Sequence, residues 1–222
     1  MSKTSQLSIS KKTDSDKSRM KKIIKLLLKE YPDSKCSLNY ENAFQLLVAT
    51  ILSAQCTDER VNKVTSEIFK RYKTAHDFNI LSLDKIKKMV FSTGFYNNKA
   101  NSIKKLSQVV CEEYDNNIPK DINRLVEFPG VGRKTANVVL GTYYGVPAIV
   151  VDTHVTRIVN LLDFSRTRNA VVIERELSNI INKKYWVKFT HLVIDHGRKV
   201  CIANRPKCSI CVIKSLCPSA KK

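Results

Sequence analysis

The chain has 222 residues, 43% of them hydrophobic, and a formal net charge of +19 from 39 basic and 20 acidic side chains. This is a globular composition, and the charge exceeds what solubility needs, which points to a polyanionic partner with nucleic acid first. No apolar run approaches the ~18 residues of a membrane span and the N-terminus lacks the apolar segment of a secretory signal, so neither a membrane partner nor secretion is expected; in a reduced protein the seven cysteines suggest a metal site rather than disulfides.

Residues 1–18 are polar and read as a disordered, weakly basic tail, with Ser18 as the cap of a first helix. Met20, Ile23, Ile24, Leu27 and Leu28 form that helix's apolar stripe, and Tyr31-Pro32-Asp33 ends it. Residues 41–53 are apolar almost all round, as in a buried helix. The polar loop Ser53-Ala54-Gln55-Cys56-Thr57-Asp58 follows, with Thr57 or Asp58 capping a helix that turns Val61, Val64, Ile68 and Phe69 inward. Gln55 is ordinarily a surface residue, but its amide suits a base edge in an opened duplex. Ser82 is placed to cap a short helix carrying Leu83, Ile86, Met89 and Val90, which Gly94 stops. Phe95, next in line, is either a lid on the core or a wedge between base pairs. A long helix with Ala100, Ile103, Leu106, Val110 and Tyr114 at helical spacing comes next, then a short one capped by Asp121.

That short helix delivers the chain to Phe128-Pro129-Gly130-Val131-Gly132-Arg133-Lys134, two of the chain's six glycines lying within three residues. A glycine turn running into a helix leaves backbone N–H groups pointing outward, an anion site. From Lys134 onward the residues favour helix, with Ala136, Val139 and Leu140 on one face. Residues 148–151 read as a buried connector, Asp152 opens a helix, and residues 170–181 and 186–200 give two more. No β pattern of any length and no internal repeat is present, so the class is all-α.

From His196 to the end there are seven basic residues and no acidic one, with Cys201, Cys208, Cys211 and Cys217 spaced Cys-x6-Cys-x2-Cys-x5-Cys. Spacing alone leaves zinc ahead of a [4Fe-4S] cluster. Cys36, Cys56 and Cys111 read as ordinary small buried residues.

Taken together, FPGVGRKTANVV, Val-Asp-Thr-His at 151–154, the four-cysteine spacing and LSAQCTD at 52–58 make the chain resemble the endonuclease III family of base-excision-repair DNA glycosylases. The similarity runs from about residue 20 to 217. It implies an all-α, two-domain fold: a discontinuous iron–sulfur domain of residues 19–35 and 147–222, and a six-helix barrel of residues 36–146 containing a helix-hairpin-helix at about 121–141, with the active-site cleft between them. It also implies a [4Fe-4S] cluster on the four C-terminal cysteines and damaged double-stranded DNA as the partner of a monomer; the compact chain with no targeting signal suggests a bacterial cytoplasm, with an organelle or the nucleus as alternatives.

The resemblance further implies a chemistry. Lys134 would attack the sugar C1′, displace the base and form a Schiff base, after which β-elimination breaks the 3′ phosphodiester bond. The positive end of its helix dipole, adjacent Arg133 and partial desolvation all favour the neutral amine. Asp152 caps its helix and would also stabilise positive charge developing on the sugar. Gly130, Val131 and Gly132 would grip a phosphate through their amides, and Arg198, Lys199, Arg205 and Lys207 would add salt-sensitive affinity. Gln55 and Phe95 would fill the gap left by the extruded nucleotide, Phe95 standing where the family is expected to have leucine. Three rivals carry less weight: a monofunctional adenine-mismatch glycosylase would lack Lys134, a non-catalytic DNA-binding module would not need Lys134 and Asp152 together, and a zinc-bound structural protein would lack an iron–sulfur absorption band near ~400 nm.

Overall fold

The computed structural model describes residues 14–221. Residues 1–13 of the expected tail lie outside that range. Among the described residues the chain forms eleven α-helices joined by loops and short 3₁₀ turns, with no strand, as the absence of alternating apolar patterns predicts. No described helix is long and apolar enough to cross a membrane. The helices fall into two compact units: one takes the chain up to Ser34 and again from Val151, and the other is Lys35–Val150.

The central unit is built around α2 (Ala43–Leu52), nine of whose ten residues are buried. A helix apolar all round must be enclosed, and α2 packs against α3 (Asp58–Phe69), α6 (Tyr96–Tyr114) and α8 (Arg133–Thr142). Leu46, Leu47, Val48 and Leu52 have no solvent exposure, and each such leucine contributes about 2 kcal/mol by leaving water. Two shorter helices, α4 (Ala75–Asn79) and α5 (Leu83–Val90), lie on α6, and α7 (Ile122–Leu125) leads into α8. Side-chain caps fix most of the starts: Asn42 on α2, Thr57 on α3, Ser82 on α5, and Asp121 on α7 through both Asn123 and Arg124 amides. Sequence reading passed over α4, whose five residues are held by a capping box between Thr74 and Asp77. Cys36, Cys56 and Cys111 are half-buried at the edge of this core rather than inside it.

The other unit packs α1 (Asp14–Glu30) against α11 (Trp186–Lys199), and α11 against α9 (Thr153–Leu161); α10 (Ala170–Ser178) completes it. The expected start of α1 is corrected here. Ser18 does not cap the helix but lies within it, because α1 begins at Asp14 with Asp14 and Asp16 in its first turn, where negative charge complements the helix dipole. Residues 14–18 are therefore helical rather than tail. Arg19 holds this turn to the rest of the unit, donating to the Leu162 carbonyl (2.7 Å) and the Leu216 carbonyl (3.3 Å) and stacking on Phe164. The helix expected over 170–181 stops at Ser178.

Candidate nucleic-acid interface and cysteine cavity

The turn between α7 and α8 closes through three short-range bonds, Glu127 N–H to Arg124, Phe128 N–H to Leu125 and Val131 N–H to Phe128 carbonyls, the last at 3.0 Å. Val131 is buried and its amide is spent inside the turn, which corrects the expectation that all three hairpin amides face a phosphate. Gly130 and Gly132 are the remaining candidates. Gly130 sits at φ +79°, a backbone that side-chain-bearing residues resist, whereas Gly132 has φ −89° and open space where a Cβ would be. Gly132 is the N-cap of α8 and offers no side chain to the first-turn amides, so this helix start is open to an anion. Lys134 stands on that first turn with its side chain exposed, so the partial desolvation expected of it is not supplied by the protein's own packing.

Two further loops of this unit end in strained residues. Gln55, after α2, has φ +53° and is exposed. Phe95, before α6, has φ +48° and 63% exposure, so it is no lid on the core. An aromatic ring held out by a left-handed backbone costs energy twice, in strain and in exposed apolar area.

In the other unit Asp152 is the N-cap of α9, its Oδ1 accepting the Val155 N–H at 2.8 Å. Cys201, Cys208, Cys211 and Cys217 all line one cavity of about 200 Å³, with Ile158, Leu162 and Ile213 among its apolar walls. Arg157 donates to Cys201 Sγ at 3.5 Å, and His196 Nε2 lies 3.6 Å from Cys211 Sγ. Burial, aided by the charge of Arg157, pulls the His196 pKa down to about 4, so the ring is neutral near pH 7. Its Nδ1 meets the Tyr31 hydroxyl at 3.1 Å, and burial followed by the negative charge of Glu30 pushes Tyr31 up to about 12. The Tyr31 hydroxyl can donate to or accept from Nδ1; in the tautomer with its proton on Nε2 facing sulfur, the hydroxyl is the donor. Among the described residues no three His, Cys, Asp or Glu side chains close on a single-ion position. Arg198, Lys199, Arg205 and Lys207 are exposed around this segment, Lys199 over the Tyr31 ring.

The HhH-GPD superfamily of base excision DNA repair proteins matches residues 48–183. Endonuclease III of Synechocystis sp. is 44% identical over 215 residues, 96% of this chain and 98% of that protein. The solved structure of a non-covalent endonuclease III–DNA complex superposes with a TM-score of 0.88 at 41% identity, over 92% of this chain and 96% of that one. A trapped endonuclease III–DNA covalent intermediate superposes at 0.87 with the same identity and coverage. The chain belongs to the endonuclease III family. It is a base excision DNA repair protein with the helix-hairpin-helix fold.

Some features of this endonuclease III relative were not legible in its motifs. Arg157 and His196 reach Cys201 and Cys211 from α9 and α11, Tyr31, just past α1, reaches His196, and the pairings span 44, 15 and 165 residues. The only sequence cue was the position of Arg157, five residues beyond Asp152 on an already predicted helix.

Proposed function

We propose that this protein removes oxidised pyrimidines from duplex DNA through a Schiff base on Lys134 and then cleaves the abasic site on its 3′ side by β-elimination. The observation that carries the reading is Lys134 on the first turn of a helix that no side chain caps, in a chain 41% identical to an endonuclease III trapped covalently on DNA. The amides of Gly130 and Gly132 bind a phosphate next to the lesion, which sets the sugar against the lysine. The Lys134 Nζ forms a bond to C1′ as the glycosidic bond breaks, and the base departs with the electron pair and takes up a proton. Ring opening gives the protonated Schiff base; loss of the C2′ proton then expels the 3′ phosphate, and water releases the lysine. Bound DNA supplies the desolvation that Lys134 lacks in the free protein.

Asp152 uses Oδ1 as a helix cap, and its carboxylate stabilises the cationic sugar and takes part in proton transfer. Gln55 and Phe95 occupy the gap in the stack. Arg198, Lys199, Arg205 and Lys207 hold the phosphate backbone with little regard to sequence.

The four cysteines fit a [4Fe-4S] cluster: a ring of thiols spread around a cavity, with an arginine and a neutral histidine facing sulfur, suits a polynuclear group better than one zinc ion. With all four thiols engaged, the bound cluster supplies a cross-link that fixes the segment carrying Arg205 and Lys207. The relative from Synechocystis sp. is bacterial, and we place the protein with the DNA of a bacterial cytoplasm, acting as a monomer.

Borohydride trapping on a duplex containing thymine glycol tests this reading. A covalent adduct is expected with the unaltered protein and not with Lys134→Ala. Absence of an adduct on both thymine glycol and a plain abasic site, from folded protein that binds DNA, would overturn it.

A further inference from the structure

Lys99 is 5% exposed, an unusual position for a lysine. It lies in the first turn of α6, and its Nζ donates to two carbonyls, Leu52 at 2.8 Å and Thr93 at 2.7 Å. Its backbone N–H donates to a third, that of Phe95, at 3.1 Å. Leu52 is the last residue of α2, immediately before the loop that carries Gln55; Thr93 ends the 3₁₀ turn immediately before Gly94 and Phe95. One residue therefore grips the root of each of two loops 41 positions apart in the chain.

Burying an ammonium is costly unless it is hydrogen-bonded, and two of the three Lys99 Nζ protons find acceptors. Here the acceptors are carbonyls at the C-terminal ends of α2 and of the 3₁₀ turn, which α-helical hydrogen bonding leaves open and which carry partial negative charge. Burial pulls the Lys99 pKa below the ordinary lysine value, with nearby Cys56 opposing it, as expected for a charge held by dipoles rather than by a carboxylate. An apolar residue would fill the same volume at lower cost. It would not tie the loops together. Both loops also carry backbone strain, at Gln55 (φ +53°) and Phe95 (φ +48°), and strain of this kind persists only where the surroundings over-determine it.

We propose that Lys99 is a positioning residue that fixes the spacing between Gln55 and Phe95, so that the two side chains enter the duplex as one wedge. The proposal rests on the reading that Gln55 and Phe95 fill the gap left by the extruded nucleotide. It makes Lys99 necessary for extrusion and irrelevant to the chemistry after it. A preset wedge avoids ordering two loops at the moment the base pair opens.

The test compares single-turnover excision of thymine glycol from a fully paired duplex with excision of the same lesion from a bubble, where the nucleotide is already unpaired. Lys99→Met removes the donors at similar volume. It is expected to be about 100-fold slower on the paired duplex and within about threefold of the unaltered protein on the bubble, the scale of a small misplacement. Lys99→Gln keeps one buried donor and is expected to fall between; it carries the comparison if Lys99→Met does not fold. Gln55→Ala and Phe95→Ala are run beside them. If both excise the paired lesion normally, the wedge reading fails and the proposal with it. If they show the paired-selective loss and the Lys99 variants do not, the clamp alone is overturned. Equal slowing of a Lys99 variant on both substrates would also overturn it, since a merely structural residue would give that result.

Discussion

A Cβ placed on Gly130 would lie 2.6 Å from the Ser102 Cβ and 2.7 Å from its Oγ. Atoms do not approach so closely, so the turn before α8 sits against α6 only because residue 130 has no side chain. The backbone there is also at φ +79°. Gly130→Ala therefore meets strain and overpacking together, and a loss of about 3 kcal/mol is expected in urea unfolding of the intact protein. In a Ser102→Gly background the same change should cost about half as much, since only the backbone strain remains. Gly132→Ala is the contrast. Its φ of −89° suits any residue and a Cβ meets nothing within 4 Å. It should leave stability within about 0.5 kcal/mol and weaken DNA binding, because the methyl group would stand where a phosphate approaches.

The caps at Thr57, Ser82, Asp121 and Asp152 were readable from sequence because capping is local: a short polar side chain meets an amide two or three residues on. The start of α1 was not. Ser18 is a good cap in isolation, but it lies inside α1, whose Arg19 bonds the carbonyls of Leu162 and Leu216, far along the chain. The glycine turn and its open helix start were legible, but the loss of the Val131 amide to Phe128 depends on the turn's closure and leaves no mark in the composition. Lys99 is the clearest case. In sequence it is one lysine among many on a long helix, and only its two carbonyl partners set it apart.

Asp77 offers a test of acid sensitivity. Burial raises its pKa, but N–H bonds from Thr74 and Lys73, joined by the Thr74 hydroxyl, more than offset this and hold it below the ordinary 3.8. A carboxyl whose folded pKa is depressed contributes stability that is present above its unfolded pKa and is lost as pH falls through the folded one. Asp77→Ala should cost about 1 kcal/mol at neutral pH through loss of the capping box. The gap between variant and unaltered protein should shrink progressively below pH 3.8. Urea midpoints at several pH values would show this; a gap independent of pH would mean that the charge contributes nothing.

Tyr31 and His196 form a chain toward Cys211, from hydroxyl to Nδ1 at 3.1 Å and from Nε2 to Sγ at 3.6 Å. Tyr31→Phe keeps the ring and removes the hydroxyl that meets His196 Nδ1. The expected result is normal helix content with faster loss of the absorption near ~400 nm that an iron–sulfur cluster gives, on the order of 10-fold under a chelator. An unaltered bleaching rate would mean that the Tyr31 hydroxyl does not matter to the cysteines.

Asp152 is asked to do two things, and the substitutions that separate them are available. Its Oδ1 caps α9 through the Val155 amide at 2.8 Å, and asparagine caps a helix as well as aspartate does. Asp152→Asn should therefore melt within a degree or two of the unaltered protein, while Asp152→Ala should lose about 1 kcal/mol. If the carboxylate stabilises a cationic sugar, both variants should slow single-turnover excision of thymine glycol by roughly 10²–10³-fold, with affinity for the same duplex nearly unchanged. Charge, not the cap, is then the catalytic quantity, because asparagine preserves one and removes the other. Equal losses in binding and in excision would show that Asp152 serves the helix alone.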